Sequence, residues 1–186
     1  MSTFERHPDI QPQPQPSETT DGSWTIDTET SRAEFRVRGV FGHWVRGTIP
    51  IRDATVRAAS PGTRPRSIEA RLDPAGVSTG NDKRDQHLRS ADFFDVASQP
   101  EWRFVSGSIR SGDGGWQVEG SLTVRGTTRP VHLAVRPPDD SGRIVATTTL
   151  DRRAFGVTWG PRLAVGHQVH VTIEAKLRPS EPPPAD

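Results

Sequence analysis

Arg84, Asp85 and His87 place a cation, an acid and a base within four residues, the side-chain types from which general acid–base chemistry is assembled. To do such work they must meet a substrate inside a pocket, and side chains on an exposed helix face water instead, where charge clusters are commonly paired or solvated. The reading favoured is a structural network: a buried Arg84–Asp85 pair ties a helix to a neighbouring strand, and Arg84 is also within reach of a ligand head group. His167 and His170 have a spacing sometimes seen in metal sites. On a strand, residues three apart point to opposite faces, so both rings cannot hold one ion without a bulge. His7, His43 and His132 are not clustered, and the chain has no cysteine. It also contains no G-x-S-x-G, Walker, G-x-G-x-x-G or H-E-x-x-H motif. Neither a catalytic set, a metal site nor a cofactor is expected.

The elements that position these residues alternate with period two. Ala33-Glu34-Phe35-Arg36-Val37-Arg38 is apolar at odd positions and charged at even ones, the pattern of a strand with one buried face. Residues 67–72, 116–125, 131–136 and 169–178 repeat it, with less regular strands at 45–51, 101–109 and 143–150. Ten residues of alternation at 169–178 suit a barrel wall better than a small sandwich. Hairpin turns are expected at 111–115, 126–130 and 137–142, where glycines supply positive φ. With no repeat and no helix–strand alternation, the class is all-β and antiparallel. The exception is residues 78–96. There Asn81 can cap a helix, Asp82 suits its positive end, Asp85 and Arg89 form an i,i+4 pair, and Ser90 can cap a second turn carrying Phe93 and Phe94. Two adjacent phenylalanines need an apolar home, each burial contributing about 1.5–3 kcal/mol. A helix closing one mouth of a barrel provides it.

The chain has 186 residues, room for one domain once its ends are discounted. Residues 1–21, with three Gln-Pro repeats, and residues 179–186, rich in proline, cannot bury enough apolar surface to offset ordering and are expected to be disordered tails around a folded unit at 22–178. A net charge of +1 gives no strong global field towards nucleic acid or an anionic membrane, although local basic patches are compatible with it. Of 24 basic residues 22 are arginine, which GC-rich coding explains as readily as anion binding. The first residues lack the apolar core of a signal peptide and no stretch is long enough to span a bilayer, so the cytoplasm is the default expectation.

The chain resembles the YceI-like family, whose members are lipocalin-like barrels associated with polyisoprenoid lipids. The resemblance is densest at Ser78-Thr79-Gly80, Arg84-Asp85, His87-Leu88-Arg89-Ser90 and Asp92-Phe93-Phe94-Asp95-Val96. It continues through residues 120–131, Asp151-Arg152 before Phe155-Gly156, and the closing strand from Val169. Thr30 and Gly39 stand where that family commonly carries histidine, and many of its members carry a secretion signal. The resemblance implies a single antiparallel lipocalin-like β-barrel of about eight strands with a short helical insertion, and non-enzymatic binding or transport of an isoprenoid lipid such as a polyprenyl phosphate or a quinone.

Aromatic residues such as Phe41, Trp44, Trp102, Trp116, Phe155 and Trp159 are expected mainly in the core, which in a small barrel is also pocket wall. Phe35, Val37, Phe94, Phe104, Val118 and Leu122 are the residues expected against the lipid tail, and Arg38, Arg84 and Arg125 those at its head group. The expected partner is an apolar lipid; a homodimer is left open, and neither nucleic acid nor an integral membrane segment is expected. Three alternatives stand beside this one: a general fatty-acid carrier, a structural or stress-associated module without ligand, and a hydrolase.

Overall fold

The computed structural model describes residues 22–39, 42–60, 62–158 and 166–180. Phe41, Trp159, residues 1–21 and residues 181–186 lie outside them. Within the described residues nine antiparallel strands occupy eight positions around a closed barrel. They are β1 (Gly22–Ile26), β2 (Arg32–Arg38), β3 (Trp44–Ala58), β4 (Ser67–Leu72), β5 (Trp102–Gly112), β6 (Gly115–Val124), β7 (Thr127–Arg136), β8 (Arg143–Asp151) and β9 (Gln168–Pro179). β1 and β2 share one position. β1 pairs with the C-terminal part of β3 and the end of β9, and β2 with the first half of each. The break between them, residues 27–31, is stitched to β9 by Asp27 N–H donating to Lys176 O at 2.9 Å and Lys176 N–H donating to Ser31 Oγ at 3.1 Å. An ion pair from Arg178 to the buried Asp27 completes the join.

Two bulges reset the alternation. Ile51 and Ala54 both face inward although three residues apart, because β3 shifts register between Ile51 and Asp53. β5 shifts in the same way between Ser106 and Ser108, turning Phe104 and Ile109 to the same interior. Gly120, across from the second bulge, has no tolerance for a side chain: a Cβ there would lie 2.6 Å from the Phe104 ring and from Val105 O. β6 and β7 join at Arg125-Gly126, both at positive φ, one residue earlier than the turn expected from sequence. Pro130 therefore falls within β7 and not at its start. β7 bonds to β8 only over Ala134–Arg136, so no ladder hydrogen bond to β8 is missing at Pro130. Above that point the gap between β7 and β8 is covered by the buried Phe155 and Val157, which follow β8, with Arg129 Nε donating to Ala154 O at 3.0 Å.

One short helix, α1 (Asp82–Arg89), lies in the β4–β5 connection. It forms where expected because Asn81, in extended conformation, accepts a hydrogen bond from Arg84 N–H through its side chain. Ser90 ends it, and the turns that follow bury Phe94 edge-on against Trp102, ring centroids 4.7 Å apart. The strand ends that flank the β4–β5, β6–β7, β8–β9 and β2–β3 connections all lie at this helix end of the barrel.

Candidate functional site

The interior is packed at one end and hollow over the rest. At the end away from α1, Trp116, Ile109, Ala58, Pro65 and Val118 form a closed floor, with Val118 only 1% exposed. Above the floor runs a cavity of about 410 Å³, within the range of about 300–1,000 Å³ in which small-molecule sites fall. It is hollow for a local reason. Inward positions on five strands carry alanine, namely Ala33, Ala54, Ala70, Ala146 and Ala175, and their missing side-chain volume lies in the middle of the barrel. The rest of the wall is aliphatic or aromatic, including Ile49, Ile51, Leu72, Leu133 and Ile173. The polar residues on the lining are Arg84 and His87 on α1 and Arg152 just after β8, all at the helix end, with Glu34 on β2 and Thr148 on β8.

Each of these three is held by its own element. Arg84 on α1 donates from Nε to Thr79 Oγ1 at 2.7 Å and from Nη2 to Thr79 O at 2.9 Å. Arg152, opening the 3-10 turn Arg152–Phe155 after β8, donates to Gly166 O at 3.0 Å and Val157 O at 2.6 Å. Burial lowers its guanidinium below the usual arginine value. Asp151 caps that turn, and a hydrogen bond from Arg153, opposed by burial, holds its carboxyl at about 2. His87 lies 3.4 Å from Asp92 and stacks edge-on against Phe93.

The expected Arg84–Asp85 pair is replaced by a relay through Thr79. Asp85, 5% exposed, accepts the Thr79 N–H at 2.9 and 3.1 Å and its hydroxyl, and that hydroxyl oxygen in turn accepts from Arg84. Nor does Arg89 bond to Asp85; it donates to Ala75 O at 2.6 Å and Val77 O at 3.0 Å, locking α1 onto the preceding turn. Burial alone would raise the Asp85 carboxyl. The two Thr79 hydrogen bonds, with Arg89 and Arg84 nearby, hold it below the usual carboxylate range. Asp85→Asn is therefore expected to cost about 1.5–3 kcal/mol at neutral pH, the range for hydrogen bonds to a charged group. The sign with pH follows from the lowered value. The stabilisation is complete above the ordinary aspartate range and is lost as pH falls through the lowered one. Urea denaturation of both proteins should give a difference that is full at pH 6 and shrinks in acid.

The structure gathers Phe35, Val37, Phe94, Phe104, Leu122 and Arg84 onto the cavity wall. It places three other expected residues elsewhere. Val118 belongs to the floor. Arg125 is a strap, donating to Ala91 O at 2.6 Å and Gly156 O at 2.9 Å. Arg38 lies outside on β2, its guanidinium 5.1 Å from the Trp44 ring. Trp44 itself, expected in the core, is 43% exposed, because Val45 pairs with the inward Val37 and leaves Trp44 opposite Arg38. His170 lies outside as well, bonded to Thr149 at 3.1 Å, and among the described residues no three His, Cys, Asp or Glu side chains converge as a metal site. Among described helices none is long and apolar enough to cross a membrane. Sequence reasoning singled out His87 without giving it a ligand and passed over Arg152; the signal for Arg152 was its place at the end of a strand just before Phe155-Gly156.

Protein YceI of Escherichia coli O17:K52:H18 (strain UMN026) is 30% identical over 115 residues, 61% of this chain and 60% of that protein. The corresponding protein of Salmonella newport (strain SL254) gives the same figures, so the chain spans about 60% of the length of the curated relatives it matches. Among solved structures, Burkholderia cenocepacia BcnA superposes with a TM-score of 0.72 at 21% identity, over 81% of this chain and 98% of that one. A polyisoprenoid binding domain from Saccharophagus degradans, implicated in plant cell wall breakdown, gives 0.62 at 12% identity, over 84% and 98%. At these identities the likeness is one of fold. The profile of the YceI-like domain matches residues 24–177, from Trp24 in β1 to Leu177 in β9, and on that match the chain belongs to the YceI-like family.

Proposed function

We propose that the barrel binds or carries an isoprenoid lipid without chemical turnover, its chain along the cavity and its head at the helix end. The observation that carries this is a cavity lined almost wholly by aliphatic and aromatic side chains, with Arg84 and Arg152 among the lining residues at its helix end. Each buried methylene contributes about 0.8 kcal/mol, so a dozen carbons offer about 10 kcal/mol before immobilisation costs. A sugar or nucleotide would leave polar groups unpaired against the aliphatic wall. The polyisoprenoid binding domain of S. degradans, similar in fold, supports the isoprenoid class, and the two arginines favour a phosphate head over a quinone. Organic extraction of the purified protein followed by mass spectrometry tests the class: recovery of prenyl lipids is expected, and recovery of only straight-chain acyl lipids would overturn it. Arg84→Gln is expected to weaken a prenyl phosphate about tenfold while leaving the matching neutral prenol nearly unchanged, measured by titration of both ligands. Equal losses for the two ligands would remove Arg84 from the head-group site.

A further inference from the structure

Trp44 is the exposed large hydrophobic side chain among the described residues, and it stands on the first residue of β3, at the same end of the barrel as Arg84 and Arg152 of the cavity lining. Its neighbour Val45 lines the cavity, so the ring sits on the outer lip of the wall whose inner surface is apolar. Arg36 and Arg38 place their guanidinium groups 5.3 and 5.1 Å from the ring, and the His170 ring lies 5.8 Å away. Arg46, opposite Arg36 in the β2–β3 ladder, adds a third exposed arginine to the same outer face.

The carboxylates of this face are already engaged. Glu34 pairs with Arg32 at 2.7 Å, Glu174 with Arg32 and Arg143, and Asp151 with Arg153 at 2.7 Å. The patch around Trp44 therefore keeps a local positive charge in a chain whose net charge is only +1. A half-exposed tryptophan ringed by arginines matches the chemistry of a membrane interface, where the indole sits at head-group depth and cations meet anionic lipid.

We propose that this lip, Trp44 with Arg36, Arg38 and Arg46, docks the barrel on an anionic bilayer surface with the rim of the cavity facing the lipid. The docking serves the carrier reading above, since a hydrocarbon chain then passes from bilayer to cavity with little exposure to water. It does not depend on which lipid is carried. Among the described residues this strand wall presents one exposed large aromatic, Trp44, and so no row of stacking platforms for single-stranded nucleic acid.

The test is cosedimentation of the full chain with phosphatidylcholine vesicles, with and without about 30 mol % phosphatidylglycerol. Binding is expected to the anionic vesicles only and to be released by about 0.5 M salt. Trp44→Ala and, separately, Arg36→Gln with Arg46→Gln are each expected to weaken it at least fivefold, the effect of about one interfacial arginine. Thermal denaturation verifies that the variants are folded. The arginine pair keeps the test sharp should Trp44→Ala unfold. No binding, equal binding to neutral vesicles, variants that bind like the parent, or capture of an oligonucleotide in place of vesicles would each overturn the proposal. Lipid uptake from detergent micelles, measured alongside, separates the two readings: a protein that loads from micelles but ignores vesicles sinks the docking alone, and one that sediments but never loads sinks the carrier alone.

Discussion

Ala70→Phe combined with Ala146→Phe is expected to abolish lipid uptake while leaving the barrel folded. Both alanines line the cavity, on β4 and β8, and their side chains leave open the space that a guest would fill. Inserting methylenes into a filled core costs about 1–3 kcal/mol, but here the added rings enter existing space, so that cost is offset by the apolar contacts they gain. For the guest the balance is reversed. Displacing about six of its methylenes removes about 5 kcal/mol, more than three powers of ten in affinity. Isothermal titration with a prenyl phosphate, paired with thermal denaturation, checks both halves. The expected result is at least a hundredfold loss of affinity with a melting temperature no lower than the parent's. A variant that still binds normally would place the guest somewhere other than the barrel interior.

The floor should respond in the opposite way. Trp116 is 6% exposed and forms the base of the closed end, between Ser111 and Val135 in the ladders. Trp116→Ala is expected to cost about 3–5 kcal/mol, the range for deleting a buried large aromatic, read from urea denaturation at neutral pH. Its functional effect is separate. Removing the indole opens the blind end, and the milder Trp116→Leu, which retains more stability, should shift preference toward prenyl chains longer than those the parent accepts. A loss below about 1 kcal/mol for the alanine variant would mean that Trp116 does not form the floor.

Much of this architecture was legible in the chain. Alternation at 33–38, 67–72 and 169–178 is local, and each segment became a strand. Asn81 announced α1 because capping is also local. The misreadings arise where a distant partner decides. The second half of β3 escaped because the bulge after Ile51 puts Arg52 and Asp53 side by side and breaks the period. β1 escaped because five residues carry too little pattern, and its identity as a continuation of β2 is set by β3 and β9. Trp44 and Val45 are adjacent and both apolar, so only the pairing with Val37 tells which one turns inward. The void followed the same logic. Each alanine is unremarkable in its own strand, and the cavity exists because five of them meet across the barrel.

The seam between β7 and β8 gives the wall a weak side. These two strands share a ladder only over Ala134–Arg136, although each runs well beyond it, and the gap above is bridged by Phe155 and Val157. On the proposal that the barrel carries a lipid, a bulky guest that strains the wall is expected to be accommodated there first, because the Phe155 side chain fills this gap where no strand ladder does. On the same proposal the girth of the container yields at this one stave, while its length is set by the floor.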